Sequence, residues 1–223
     1  MLLIFDCDGV ILDSMPLHNQ VEAEIYKKHG VEILPAELAR RFSGVPVQAA
    51  IRTLEAEYGL TLDPDLEVEM EERKRIVFAA GLKIMPGIDF ALNTLSEIPR
   101  CVASGTRTNE LHFALEAVGL KQLFAPHIYS SQQVPRGKPF PDLFLYSAEK
   151  LGQKPADCLV IEDGVAGVEA ARAANMRVLG FVGGSHSDHE HADRLKAAGA
   201  YETFADMLVL PELVERAMGF ESS

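Results

Sequence analysis

The run Leu2-Leu3-Ile4-Phe5 passes without a break into Asp6-Cys7-Asp8-Gly9. A run that is apolar at every position reads as a strand covered on both faces, as in a parallel sheet between helices. Asp6 and Asp8 then stand just past the carboxyl end of that strand, where open α/β sheets bind ligands. Gly9 permits a sharp turn and a close backbone approach. Two carboxylates so near each other repel unless a proton or a cation separates them. A hard divalent cation with oxygen ligands, Mg2+ first, is the simplest partner. A calcium loop does not fit. Gly9 follows Asp8 at once, Ile11 and Leu12 are apolar, and no further oxygen ligand or closing Glu stands at the required spacing.

The rest of the chain limits what that turn can serve. Its 223 residues carry a net charge of −12, which argues against nucleic-acid and anionic-membrane partners, since both need basic patches. An anionic substrate remains compatible, because a metal and one or two cations can make a local positive site. Met1 to Phe5 is too short and too poor in basic residues for a signal peptide, and no apolar stretch is long enough to span a bilayer. The three cysteines, Cys7, Cys101 and Cys158, lie in or beside apolar runs. Such a scattered, odd set fits reduced, buried thiols in a cytoplasmic protein.

Periodicity divides the chain. From Ser14 to about residue 85 it is helical, with segments over His18 to His29, Pro35 to Phe42, Pro46 to Gly59, and from Asp63-Pro64 to Gly81. From Pro86 it alternates. Helices are expected over Gly87 to Ile98, Thr108 to Val118, Pro141 to Leu151 and Val165 to Asn175. Strands are expected over Arg100 to Ala103, His127 to Tyr129, Cys158 to Ile161 and Val178 to Val182, the last clear core strand. Alternation of this kind predicts an α/β fold with a parallel sheet and right-handed crossovers. Residues 1–14 and 86–223 form the core, and 15–85 an inserted helical domain.

In a parallel sheet all carboxyl ends share one edge. There the sequence places Asp6 and Asp8, then Ser104-Gly105-Thr106, then Lys138 in a Gly/Pro loop, then Glu162-Asp163. An acidic cluster, a hydroxyl with backbone N–H groups, and one cation suit the holding of a phosphoryl group. Its transfer depends mainly on positioning and charge neutralisation. One aspartate can attack phosphorus, and the other can move the proton.

The ordered set Asp6-Cys7-Asp8-Gly9-Val10-Ile11-Leu12-Asp13-Ser14, Val102-Ala103-Ser104-Gly105-Thr106, Gly137-Lys138-Pro139 and Val160-Ile161-Glu162-Asp163-Gly164 resembles the four motifs of the haloacid dehalogenase superfamily. The similarity is to its β-phosphoglucomutase-like branch and covers nearly the whole chain. The resemblance implies a Rossmann-like parallel-sheet core with an inserted α-helical cap, residues 15–85. It implies Asp6 as nucleophile and Asp8 as general acid and base. Asp6, the Asp8 carbonyl and Asp163 would hold Mg2+, with Glu162 as helper. Ser104, Gly105 and Thr106 would bind phosphoryl oxygens, and Lys138 would neutralise charge between Asp6 and the phosphate. Dehalogenases of the superfamily lack the second aspartate, and phosphonate-cleaving members replace it, so Asp8 points to a phosphate ester.

The sequence departs from that branch in three places. Gly105 stands where Asn is frequent, Gly164 where Ser is, and Val47 where mutases and several sugar phosphatases carry Arg. His18, Arg41, Ser43 and Gly44 are the candidate substrate contacts of the cap. Ser185-His186-Ser187-Asp188-His189-Glu190-His191 has the composition of a metal tract but reads as a solvated loop. The expectation is a cytoplasmic, Mg2+-dependent phosphatase for a small sugar or sugar-acid phosphate, acting as a monomer or weak homodimer. The alternatives are a phosphosugar mutase and a non-catalytic sensor of a phosphorylated metabolite.

Overall fold

A computed structural model describes residues 1–219 apart from 43, 44, 46 and 186. In chain order the elements are β1 (Leu2–Phe5), α1 (Met15–Lys28), α2 (Pro35–Phe42), α3 (Val47–Tyr58), α4 (Leu66–Gly81), α5 (Ile88–Thr94), β2 (Arg100–Ser104), α6 (Thr108–Ala117), α7 (Lys121–Phe124), β3 (Ile128–Ser130), α8 (Asp142–Lys150), β4 (Cys158–Glu162), α9 (Val165–Ala173), β5 (Arg177–Phe181), α10 (His191–Ala198), β6 (Glu202–Phe204) and α11 (Leu210–Met218). The strands form one parallel sheet in the order β3-β2-β1-β4-β5-β6.

The apolar run Leu2–Phe5 takes the centre of this sheet. It pairs with β2 on one side and β4 on the other, and all four residues are fully buried. The chain moves outward from β1 through β2 to β3, then returns to the other side of β1 for β4, β5 and β6. The strand order thus reverses between β1 and β4, the position at whose carboxyl ends open α/β sheets bind ligands. Asp6 and Glu162-Asp163 stand there, because Phe5 is in register with Ile161.

The chain divides into two compact units. One comprises Met1–Asp13 and Lys83–Ser223, and the other Ser14–Leu82. Each has its own apolar core. In the sheet unit it is built on Leu2, Ile4, Val160, Phe144 and Leu195, and in the helical unit on Val21, Tyr26, Leu38, Leu54 and Met70. Lys83, Ile84 and Met85 go with the sheet unit, three residues earlier than the sequence boundary at 86. The cause is local pairing. Asp13 N–H bonds the Lys83 carbonyl, Met85 N–H bonds the Ile11 carbonyl, and Ile84 bridges Leu12.

Other boundaries move for physical reasons. α1 begins at Met15, a turn before His18, because Pro16 falls where a helix N–H needs no partner. α4 begins at Leu66, after a turn in which Asp63 accepts the Asp65 N–H. α5 stops at Thr94, and Pro46 lies outside the described residues. The sequence reading did not anticipate β6, a three-residue edge strand. Nor did it anticipate that the tract after β5 ends in a helix start with a buried His191. Among the described residues, no helix is long and apolar enough to cross a membrane.

Candidate active site

β1 ends at Phe5, and Asp6 continues its line through an N–H bond to the Ile161 carbonyl of β4. The chain then turns tightly. Ile11 and Leu12 N–H groups both bond the Cys7 carbonyl, and Gly9 N–H bonds the Leu12 carbonyl. Gly9 adopts φ +82°, a conformation costly for any residue with a Cβ. This loop leaves Asp6 buried and Asp8 half-buried, on the same strand end.

Asp6, Glu162 and Asp163 each offer a carboxylate oxygen within 4.8 Å of the others. One ammonium answers them. Lys138 Nζ donates to Asp6 Oδ1 at 2.6 Å and to Glu162 Oε2 at 2.7 Å, while packing over the Phe144 ring. Burial first, then Glu162, Asp163 and Asp8, push the Asp6 carboxyl well above the ordinary carboxylate range, and Lys138 pulls the other way. Burial also raises Glu162. Burial alone would lower Lys138, but its two carboxylate partners outweigh it and hold the ammonium charged. Three buried carboxylates against one ammonium leave an excess of two negative charges when all are ionised. That excess and an all-oxygen donor set fit a hard divalent cation. Cys7, between the aspartates, is held as a thiol by burial and by Asp8 and Asp6.

Lys138 comes from the loop between β3 and α8. Arg136 anchors that loop through two bonds to Asp142, at 3.0 and 2.7 Å. Glu162 fits over the first turn of α9 because Gly167 has no side chain. A Cβ there would lie 2.0 Å from Glu162 Cδ.

At the end of β2, Ser104 is buried and its Oγ accepts the Thr106 N–H at 3.0 Å, which leaves the hydroxyl proton to be donated. Thr106 Oγ1 donates to Asp8 Oδ2 at 2.6 Å, a link the sequence reading did not foresee. The 104–106 loop is pinned from the end of β3 and the turn after it, where Ser130 Oγ donates to the Thr106 carbonyl and Ser131 Oγ to the Gly105 carbonyl. Gln132 accepts the Thr108 N–H. The polar run Ser130-Ser131-Gln132-Gln133 is the signal in the sequence for these supporting contacts. Asp6, Asp8, Ser104, Thr106, Lys138, Glu162 and Asp163 thus gather at one sheet edge, with Gly105 exposed beside them.

Of the four residues expected of the cap, His18 and Arg41 lie within the described residues. His18 meets Phe78 edge-on at 5.0 Å. The Arg41 guanidinium is held by Glu37 at 3.0 Å and Glu57 at 2.5 Å. Ser43 and Gly44 lie outside the described residues. In the histidine-bearing tract, His189 is exposed. His191 is not part of a solvated loop. It is buried, with Nε2 2.7 Å from the Asp163 carbonyl and Nδ1 2.8 Å from Ser187 Oγ.

Comparison with known proteins gives the family of the chain. The sequence pattern of the haloacid dehalogenase-like hydrolases matches residues 1–175. A conserved haloacid dehalogenase-like protein of Agrobacterium tumefaciens superposes with a TM-score of 0.88 at 40% identity, over 98% of each chain. The 6-phosphogluconate phosphatase of Escherichia coli is 26% identical over 213 residues, 95% of this chain and 93% of its own. The phosphorylated carbohydrates phosphatase of Thermotoga maritima is 32% identical over 186 residues, 81% of this chain and 84% of its own.

Proposed function

The chain belongs to the haloacid dehalogenase-like hydrolases, and from that premise we propose that it is a Mg2+-dependent phosphatase of small sugar or sugar-acid phosphates. The observation that carries the reading is the buried cluster of Asp6, Glu162 and Asp163, with the Lys138 ammonium bonded to Asp6 and Glu162 and with Asp8 on the same turn as Asp6. The substrate class is supported by the activities of the Escherichia coli and Thermotoga maritima relatives. Three free, buried cysteines accord with a cytoplasmic setting.

In this reading Asp6 attacks phosphorus, the bond to the leaving oxygen breaks, and an aspartyl-phosphate forms on Asp6. Asp8 gives its proton to that leaving oxygen, then takes one from the water that attacks the phosphoryl group. Inorganic phosphate leaves and Asp6 is restored. The Thr106 hydroxyl bond holds the Asp8 carboxyl in its place on the turn. Lys138 and the Ser104 hydroxyl, with N–H groups of the 104–106 loop, hold the phosphoryl oxygens. Asp6, Asp163, Glu162 and the Asp8 carbonyl would hold Mg2+, which when bound offsets negative charge on the phosphoryl group. The helical unit Ser14–Leu82, inserted directly after the first acidic motif, is read as the cap that selects substrate and excludes water.

The test is phosphate release from a panel of sugar, sugar-acid, polyol and nucleotide phosphates. It is run with Mg2+, with chelator, and with Asp6→Asn. Release is expected only with metal, and Asp6→Asn is expected to lose at least ~1,000-fold while keeping its fold. An Asp6→Asn protein with wild-type turnover overturns the mechanism. Interconversion of sugar-phosphate isomers without net release points to a mutase instead.

A further inference from the structure

Asp163 stands on the turn between β4 and α9, and the residue after it, Gly164, has no side chain to brace that turn. The Asp163–Gly164 peptide is nevertheless held from both sides. Its N–H, on Gly164, donates to Glu162 Oε1 at 3.1 Å. Its C=O, on Asp163, lies 2.7 Å from His191 Nε2. A carbonyl only accepts, so Nε2 carries the proton and donates. In the neutral ring Nδ1 is then an acceptor, and Ser187 Oγ, 2.8 Å away, is placed to donate to it. Ser187 thereby holds the ring in the orientation that the Asp163 carbonyl requires.

The support behind the imidazole is firm. His191 is 6% exposed and opens α10. α10 packs on α9, β5 and β6, and its Leu195 is fully buried in the core of the sheet unit. The imidazole therefore projects from a fixed element onto the turn that carries a carboxylate of the acidic cluster. Fixing one peptide plane fixes the backbone from which the Asp163 side chain departs. Nothing in the phosphoryl chemistry itself uses His191, and a buried imidazole bonded to a main-chain carbonyl needs another reason to be there.

We propose that His191 is a positioning residue, oriented by Ser187, which locks the Asp163–Gly164 peptide so that Asp163 meets the cation in a fixed geometry. The proposal rests on the reading of Asp6, Glu162 and Asp163 as cation ligands. Partners that orient metal ligands change affinity by about 10–100-fold when removed.

The experiment is calorimetric titration of Mg2+ into substrate-free protein, for the wild type, His191→Ala, His191→Gln, Ser187→Ala and Asp163→Asn. His191→Ala is expected to weaken Mg2+ binding by at least ~10-fold. His191→Gln, whose amide N–H can reach the same carbonyl, recovers most of that loss. Ser187→Ala gives a smaller loss. In turnover, the His191→Ala defect appears as a higher Mg2+ concentration for half-maximal rate and shrinks at saturating Mg2+. A merely structural role would lower kcat or the melting temperature without that shift and without the Gln rescue. Wild-type Mg2+ affinity in His191→Ala overturns the proposal while leaving the cation site standing. If His191→Ala does not fold, wild-type affinity in Ser187→Ala overturns it equally. Mg2+ binding that survives unchanged in Asp163→Asn, or is absent from the wild type, overturns the cation reading, and the positioning role falls with it.

Discussion

Asp6 is held against its own electrostatic preference. Burial and the carboxylates of Glu162, Asp163 and Asp8 raise its pKa, and Lys138 only partly opposes them. The sign for stability follows. A carboxyl whose native pKa lies above its unfolded value favours the native state when protonated. Its ionisation, as pH rises through the native value, lowers the stability of the metal-free protein. Asp6→Asn removes that penalty, and Lys138 keeps Glu162 as partner. In chelator above neutral pH, Asp6→Asn is expected to be the more stable protein by about 1 kcal/mol, or ~2–4 °C in Tm for a chain of this length. The difference should narrow as pH falls from the raised native value and close only near the ordinary carboxylate value, where Asp6 is protonated in both states. Paired thermal melts in chelator, stepped from pH 8 down into the acid range, check it. A lower Tm for Asp6→Asn at pH 8 would mean that the Lys138 pair outweighs the crowding.

At the scale of the element, α9 shows why glycine occupies a position within a helix. Gly in a helix costs about 1 kcal/mol relative to Ala, yet Gly167 is in the first turn of α9. The compensation is space. A Cβ there would meet Glu162 Cδ at 2.0 Å and both carboxylate oxygens within 2.4 Å. Gly167→Ala is expected to destabilise by ~1–3 kcal/mol, to displace Glu162 from Lys138, and to reduce phosphate release more than ten-fold. In a Glu162→Ala background the same change should become neutral or stabilising, since only helix propensity remains. Denaturant melts of the four proteins read the coupling, and an equal loss in both backgrounds would remove Glu162 from the explanation.

Elements also divide what the sequence shows from what it hides. β1 and β4 were legible because both faces of a central parallel strand are covered, so the apolar run carries no polar break. The residues after them were legible because strand ends of a parallel sheet share an edge. β6 was not. Two of its three residues are half-buried, and only Phe204 is buried, so neither alternation nor an apolar run marks it. His191 is hidden in the sequence for a related reason. Its neighbours make a polar tract, and its burial depends on a carbonyl 28 positions away, which composition cannot encode. Thr106 was placed correctly at the edge, but its bond to Asp8 joins residues 98 positions apart, a pairing that appears only once β1 and β2 lie side by side.

At the scale of the molecule, the acidic cluster lies wholly within the sheet unit, while the helical unit has a separate core. A ligand stabilises only the conformations that bind it, by ~2.7 kcal/mol at a concentration one hundred times its Kd. On the proposed reading, Mg2+ acts on openings that break the sheet unit's site and leaves openings confined to α1–α4 unchanged. Native-state hydrogen exchange separates the two, because local and subglobal openings have their own free energies. With saturating Mg2+, amides of β1, β4, the 162–164 turn and the first turn of α9 are expected to gain protection. Amides of Val21, Tyr26 and Leu54, in the helical core, are expected to exchange as they do in chelator wherever they open locally. Asp163→Asn should erase the gain in the sheet unit. A uniform gain across both units would show instead that the protein opens as one cooperative body, and that cation binding at the strand ends is felt by every helix of the insertion.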